Sequence, residues 1–254
     1  MGPLIHSILL IGQSNMAGRG FAHQTAEPDL ANIKVLRSGR WQPAYRPINP
    51  DRPTAGVCLA ESFARRYRDD HGVEVGLIPC ADGGTCLDQW APGSLLLDNA
   101  INMTRLALRT SHVTAILWHQ GESDCADSRW PLYEEKLLRL IACLRRETGL
   151  EDVPLLLGGL GDYLPGFAAT DPSVANYSRV NAALKHAASR LSPAAYVDGT
   201  GLAPNPDNLH FSAPSLLTFG ERYYDAFRAI EDKSRIFPEK PNMDDALRSD
   251  MELL

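Results

Sequence analysis

The feature that most constrains the fold is an apolar run that passes directly into a small polar turn near the amino terminus. Residues 8–11 read Ile-Leu-Leu-Ile, and residues 12–15 read Gly-Gln-Ser-Asn. Such a run is typical of a strand buried on both faces, and an open α/β sheet binds its ligands at the carboxyl ends of its strands. The pattern therefore predicts a parallel sheet with the hydroxyl of Ser14 at its functional edge.

The rest of the chain alternates segments typical of strands and of helices. We expect strands at residues 4–11, 33–36, 73–79, 113–118, 154–158 and 195–197, and helices at 57–70, 95–108, 133–148, 176–191 and 219–230. This alternation implies right-handed crossovers and a mostly parallel sheet covered by helices on both faces. Residues 38–56 carry four prolines and no periodicity, so we interpret them as a long surface loop. Trp41 and Tyr45 within it are candidates to line a substrate groove or to pin the loop to the core.

Length and composition fit one large domain. The chain has 254 residues, of which 44% are hydrophobic and 22% charged, close to an average soluble protein. We place the domain at residues 1–237 and interpret residues 238–254, which have few large apolar side chains, as a C-terminal tail.

Several classes of protein are disfavoured by charge and patterning. A net charge of -6 argues against nucleic acid as a partner. No apolar run approaches the roughly 18 residues of a membrane span. The five cysteines lack C-x-x-C spacing, so we expect buried thiols and no zinc site. The first residues do not resemble a secretory leader, which predicts a cytoplasmic protein, or a secreted one if a leader was removed.

An acid and an imidazole three residues apart provide a candidate base for Ser14. Asp207 and His210 can lie on one turn, where the carboxylate holds the imidazole tautomer and the other ring nitrogen faces the serine. Such a pair alone is more typical of a cap or a surface contact. A serine at the end of the first strand gives it a reacting partner, and Asp198 is the alternative orienting acid.

Polar residues also follow two later strands. Gly83 and Gly84 come after the strand at 73–79, and a glycine pair lets backbone N–H groups approach a ligand closely. Glu122 and Asp124 follow the strand at 113–118. Their carboxylates are compatible with glycosidase chemistry or a metal site, although a structural role is favoured. His119 is interpreted as a core residue or a pocket wall.

Two rival sites are excluded by spacing. A nucleophile elbow requires G-x-S-x-G, and Met16 stands two positions after Ser14. The glycines of this region match neither a dinucleotide-binding nor a phosphate-binding loop. Nucleotide binding is therefore not expected.

Four blocks of the sequence closely resemble those of the SGNH hydrolases of carbohydrate esterase family 6, which include acetylxylan esterases and are close to the sialate O-acetylesterases. The blocks are Gly12-Gln13-Ser14-Asn15-Met16, Gly83-Gly84-Thr85, Trp118-His119-Gln120-Gly121-Glu122-Ser123 and Asp207-x-x-His210. The resemblance covers about residues 4 to 230. It implies a three-layer α/β/α sandwich with a flavodoxin-like sheet of five strands.

The same resemblance implies roles for individual residues. Ser14 would be the nucleophile, His210 the general base and Asp207 its orienting acid. The oxyanion site would combine the N–H groups of Ser14 and Gly83 with the side-chain amide of Gln120, where many SGNH enzymes have Asn. Gly84 is the alternative donor in the glycine pair, and Trp90 and Glu122 are candidate substrate contacts, with packing as the alternative for Trp90.

These residues and the resemblance together lead us to expect a serine esterase that needs no metal or cofactor. The resemblance implies that it removes O-acetyl groups from acetylated xylan or related oligosaccharides. The alternatives are a sialate O-acetylesterase or a broad small-acyl esterase and, from another class, a carbohydrate-binding relative without catalysis.

Overall fold

The computed structural model describes residues 4–236 and has a seven-stranded sheet at its centre. The strands are β1 (Ile5–Gly12), β2 (Ile33–Arg37), β3 (Arg40–Pro43), β4 (Val75–Pro79), β5 (Ser111–His119), β6 (Leu155–Gly158) and β7 (Ala194–Val197). Their order is β3-β2-β4-β1-β5-β6-β7, and every neighbouring pair is parallel except β2 and β3. The five strands β4-β1-β5-β6-β7 follow the flavodoxin-like order, which confirms the expected α/β fold.

The five strands implied by the family resemblance are too few, because the hairpin of β2 and β3 extends the sheet beside β4. Ser38 and Gly39 both have positive φ, at 49° and 77°, and this tight turn folds β3 back along β2. The residues of β3 are exposed or half-buried, as on a sheet edge. Part of the predicted loop at 38–56 is therefore a strand that the hydrophobic pattern does not mark.

Helices cover both faces of the sheet. They are α1 (Ser14–Ala17), α2 (Ala60–His71), α3 (Leu95–Ala107), α4 (Tyr133–Thr148), α5 (Leu164–Ala168), α6 (Tyr177–Arg190) and α7 (Ala213–Ile236). Alternate residues of β1 belong to different cores: Leu9 packs with α3, α4 and α6, whereas Leu10 packs with α2 and α7. Both side chains are fully buried, and the three-layer arrangement is confirmed.

The helix α7 begins at Ala213, six positions before the expected start at residue 219. Pro214 lies in the first turn of this helix, where proline is tolerated because its N–H needs no intrahelical acceptor. The predicted tail at 238–254 lies outside the described residues. Among the described helices, none combines the length and apolar character needed to cross a bilayer.

The carboxyl ends of three strands meet at one edge of the sheet. β1 lies between β4 and β5, and the chain moves to one side of β1 to form β4 and to the other to form β5. A change of direction of this kind opens a crevice beyond the strand ends. The loops that follow β1, β4 and β5 therefore surround one space.

Candidate active site

Ser14, His210 and Asp207 form a hydrogen-bonded chain at this edge. Ser14 is the first residue of α1, two positions after the last residue of β1, and is 6% exposed. Its Oγ lies 3.0 Å from His210 Nε2, and His210 Nδ1 lies 2.7 Å from Asp207 Oδ2. If Nδ1 donates its proton to the carboxylate, Nε2 is left to accept the proton of the serine hydroxyl. The structure thus brings together the three residues predicted from the sequence.

The Asp207 carboxylate also organises the turn that carries His210. Its Oδ1 accepts hydrogen bonds from the backbone N–H groups of Leu209, at 2.9 Å, and His210, at 3.0 Å. Partial burial opposes ionisation, but hydrogen bonds from the His210 side chain and from these two N–H groups lower the pKa of Asp207. The group is therefore an anion at neutral pH. Asp198, the alternative acid, instead accepts hydrogen bonds from Thr200.

Asn15, which follows the serine, joins its turn to two other loops. Its Nδ2 donates to Glu122 Oε1 at 2.5 Å and to the Leu209 carbonyl at 3.4 Å, while its Oδ1 accepts from the Phe211 N–H at 3.1 Å. The side chain is buried, so these contacts are shielded from water. Sequence reasoning did not assign this role, although Asn15 is part of the first motif.

The glycine turn after β4 differs from the expected arrangement. The Gly83 N–H, an expected oxyanion donor, donates to Asp51 Oδ2 at 2.8 Å. Within residues 4–236, no acceptor is found for the N–H groups of Ser14 or Gly84. Gly84 has φ +78°, a left-handed conformation that favours glycine.

Gln120 and Trp90 are not brought to the cavity, which corrects two expected positions. Gln120 is fully buried, and its Nε2 donates to the Thr85 carbonyl at 3.0 Å and to Asp124 Oδ2 at 2.6 Å. Both of its amide hydrogens are engaged, so the expected oxyanion contact is not seen. Trp90 is also fully buried, edge-on to Trp118 with the ring centroids 5.7 Å apart. The packing alternative describes its position.

Glu122 is held between two loops while it borders the cavity. Its Oε1 accepts from Asn15 and lies 3.4 Å from His119 Nε2. Burial opposes ionisation of this carboxyl, but the hydrogen bonds from His119 and Asn15 lower its pKa. His119 is fully buried, as a core histidine would be.

A cavity of about 380 Å³ opens above Ser14 and His210. Its other lining residues are Gln13, Arg19, Arg52, Gly83, Gly84, Glu122, Ser123, Phe167, Asp171, Ser173, Val174 and Leu209. Sequence reasoning missed the two arginines and the segment at 167–174. Within the part of the chain that the structure describes, no three His, Cys, Asp or Glu residues are grouped to hold a metal ion.

The long loop at 38–56 contributes to the site through residues other than its aromatic ones. Trp41 packs against the core and donates Nε1 to Thr110 Oγ1 at 3.0 Å, while Tyr45 stacks on Arg37. Neither lines the cavity. Arg52 does, and its neighbour Asp51 contacts the glycine turn. The length of this loop indicated that it contributes to the site, but the sequence pattern did not indicate which of its side chains line the cavity.

Comparison with known proteins places this geometry in a family. The family model described as carbohydrate esterase, sialic acid-specific acetylesterase (SASA) matches residues 5–229. The chain belongs to this family. It is 30% identical over 239 residues to the probable carbohydrate esterase At4g34215 of Arabidopsis thaliana, covering 84% of this chain and 86% of that protein.

Solved structures agree with the assignment of this SASA-family chain. The Arabidopsis thaliana AT4G34215 structure superposes with a TM-score of 0.75 at 28% identity, covering 89% of this chain and 99% of that one. NanS gives 0.71 at 16% identity, covering 92% and 99%. XAC1771, described as a carbohydrate acetylesterase from Xanthomonas citri, gives 0.65 at 20% identity, covering 89% and 56%. The two more distant likenesses bear on the fold alone. Together the family and its esterase neighbours support a hydrolytic esterase.

Proposed function

We propose that this chain is a serine esterase that removes O-acetyl groups from carbohydrate, with Ser14 as the nucleophile, His210 as the general base and Asp207 as the orienting acid. The observation that carries the proposal is the chain of short contacts from Asp207 through His210 to Ser14, of 2.7 and 3.0 Å. A serine hydroxyl is a weak nucleophile, and a neighbouring base held in one tautomer activates it.

The reaction follows from these positions. His210 Nε2 takes the proton of Ser14 while Oγ forms a bond to the acetyl carbonyl carbon, whose π electrons move onto its oxygen. As the carbonyl reforms, the ester bond to the sugar breaks, and the sugar oxygen receives the proton from His210. Water then attacks the acetyl-enzyme in the same way and releases acetate. The anion of Asp207 stabilises the imidazolium formed in each step.

The developing oxyanion needs donors that are free in the resting site. The Ser14 N–H begins α1 and has no acceptor within residues 4–236. We assign the second donor to the turn of Gly83 and Gly84, which lines the same cavity. One such donor contributes about 3 to 4 kcal/mol to lowering the barrier in enzymes of this chemistry.

The size of the cavity supports a small acyl ester of a sugar as the substrate. About 380 Å³ is near the lower end of ligand pockets, which span roughly 300 to 1,000 Å³, so it suits an acetyl group and one sugar ring. Acetylated xylan or a related oligosaccharide is the proposed substrate. A sialate O-acetylester is a second candidate, which the description of the matching family favours.

Replacement of Ser14 tests the mechanism. Ser14→Ala is expected to abolish hydrolysis of an aryl acetate and labelling by a fluorophosphonate, with circular dichroism unchanged. Ser189→Ala, which removes an exposed hydroxyl on α6, should behave as wild type. Undiminished turnover in Ser14→Ala would exclude Ser14 as nucleophile, whereas glycan binding without turnover or labelling of the wild type would indicate a non-catalytic carbohydrate-binding protein.

Acetate release from a panel of esters tests the substrate. Acetylated xylan, acetylated mannan and O-acetylated sialic acid should be compared by kcat/KM at equal acetyl concentration. The proposal expects the xylan or mannan fragments to exceed sialic acid. A preference for sialic acid would favour the second candidate.

A further inference from the structure

Two consecutive residues of the long loop hold both polar backbone groups of Gly83. The Gly83 N–H donates to Asp51 Oδ2 at 2.8 Å, and the Gly83 carbonyl accepts from Arg52 at 3.2 Å. A hydrogen bond from a backbone N–H to a carboxylate is about twice as strong as a bond between neutral groups. The Gly83 N–H is therefore committed to Asp51 before any substrate arrives.

Asp51 is itself held firmly. Arg19 donates to both carboxylate oxygens of Asp51, at 3.0 and 2.7 Å. The side chain of Arg19 is only 8% exposed and that of Asp51 only 4%. A Cβ on residue 83 would stand 2.3 Å from the Arg19 guanidinium, 2.8 Å from Asp51 and 3.4 Å from Ser14 Cβ. The buried ion pair thus occupies the space beside Gly83, and this explains why a glycine is found there.

The bond from Arg52 determines the direction of the next N–H group. In a trans peptide, the carbonyl of one residue and the N–H of the next point in opposite directions. Since Arg52 holds the Gly83 carbonyl, the Gly84 N–H points away from Arg52, in the opposite direction within the same peptide plane. Gly84 lines the cavity with Ser14, has φ +78°, and has no atom within 4 Å of where a Cβ would stand.

We propose that Asp51 and Arg52 are positioning residues that present the N–H of Gly84, rather than that of Gly83, as the partner of the Ser14 N–H in the oxyanion site. The inference rests on the proposed esterase function and replaces the donor expected from the sequence. Asp51 accepts the hydrogen bond of the Gly83 N–H, so this group is not available to the oxyanion. Arg52 fixes the orientation of the peptide between Gly83 and Gly84. Arg19 keeps the Asp51 carboxylate in place.

A tetrahedral adduct identifies the donor directly. Phenylboronic acid forms a bond from boron to Ser14 Oγ, the hydroxyl proton passes to His210, and the resulting boronate carries an oxygen in the oxyanion site. In protein labelled with ¹⁵N-glycine, the Gly84 amide proton should move downfield on adduct formation, while that of Gly83 stays nearly fixed. A large downfield shift of Gly83 and none of Gly84 would overturn the inference alone. Failure to form any adduct, together with no turnover, would overturn the esterase proposal and the inference with it.

Variants of Asp51 separate positioning from stability. Asp51→Ala should lower kcat about 10- to 100-fold with little change in KM, because a misdirected donor weakens only the transition state. Asp51→Asn should recover part of kcat, since its side-chain oxygen still accepts from Gly83. The matched control is Glu61→Ala, which removes the carboxylate from a comparably buried pair with Arg46 away from the cavity.

The control makes the kinetic result decisive. Both alanine variants should lower the melting temperature, because each leaves a buried arginine unpaired. Only Asp51→Ala should lose kcat and affinity for phenylboronic acid by similar factors. An equal effect of Asp51→Ala and Glu61→Ala on kcat would reduce Asp51 to a structural residue and refute its positioning role.

Discussion

Ser14 Oγ and His210 Nε2 lie 3.0 Å apart although 196 positions separate them in the chain. The contact depends on the sheet edge, which brings Ser14 to the end of β1, and on the turn that Asp207 stabilises ahead of α7. A proton can pass between the two side chains without rearrangement of the backbone. Because Ser14 and His210 meet only in the folded chain, neither residue alone indicates a catalytic site in the sequence.

Asp207→Asn tests the role of the carboxylate. The amide can present its N–H to His210 Nδ1 and so favour the wrong tautomer, and it cannot stabilise the imidazolium. We expect kcat for an aryl acetate to fall about 10²- to 10⁴-fold with KM little changed. Asp198→Asn is the control, since Asp198 bonds Thr200, and should retain kcat. Equal losses in both variants would contradict the assignment.

Asn15→Ala should weaken both activity and folding. The change leaves Glu122 without its 2.5 Å donor and the Phe211 N–H without its acceptor. Loss of buried hydrogen bonds costs about 1 to 3 kcal/mol, which corresponds to about 3 to 10 °C in melting temperature for a chain of this size. We also expect kcat/KM to fall about tenfold or more, because the loop of His210 loses an anchor.

Calorimetry and steady-state kinetics check both parts of this prediction. Asn181→Ala is the comparison, since Asn181 similarly holds the Leu160 backbone through both side-chain atoms. It should lose stability but keep more of kcat/KM. An unchanged kcat/KM in Asn15→Ala would show that the loops hold their positions without it.

The layers of the fold were predictable because they depend on periodicity. β1 and β5 contain continuous apolar runs, at residues 8–11 and 115–118, and helices such as α4 end at a glycine in the left-handed conformation. The hairpin of β2 and β3 was not, since β3 has no fully buried residue and contacts the core through the half-buried Trp41. The hairpin is formed by the tight turn at Ser38 and Gly39, and a turn of this kind leaves no hydrophobic pattern in the sequence.

The catalytic candidates could be predicted because their side chains differ in chemistry from the residues around them in the sequence. The residues that hold them in place could not. Ser14 and His210 stand out because a reactive side chain follows a buried strand or an acid. The orientation of a side-chain amide cannot be predicted in this way. Gln120 donates to Thr85 and Asp124, and only the three-dimensional arrangement shows where those acceptors lie. Arg19 and Asp51 likewise meet across 32 positions through the tertiary fold.

Gln120→Leu should lower stability most clearly at neutral pH. Burial raises the pKa of Asp124, and the hydrogen bonds from Gln120 and Leu87 oppose that rise. Without the amide the pKa rises further, so the ionised carboxylate becomes costlier in the folded protein as pH increases. The melting temperature of the variant should therefore fall increasingly below wild type between about pH 4 and pH 7.

Scanning calorimetry across that range measures the difference. Gln89→Leu, which removes an exposed amide that bonds the Cys86 N–H, is the control and should give a difference independent of pH. A constant offset for Gln120→Leu would show that its amide does not influence Asp124. We expect a smaller loss of kcat in Gln120→Leu than in Ser14→Ala, because both amide hydrogens already bond protein acceptors.

Glu122→Gln should lower stability at neutral pH and have less effect at acidic pH. The hydrogen bonds from His119 and Asn15 outweigh burial and hold the pKa of Glu122 below its usual value of 4.5. A carboxyl with a lowered pKa stabilises the fold above the pKa of the unfolded chain, and this contribution is lost as pH falls through the folded value. Wild type should therefore exceed the isosteric variant in unfolding free energy at neutral pH, and the gap should narrow below about pH 4.5. Urea unfolding at several pH values measures it, with Glu135→Gln at the exposed pair with Arg139 as control. A gap that widens on acidification would mean that burial dominates and that Glu122 is held as a neutral acid beside Ser14.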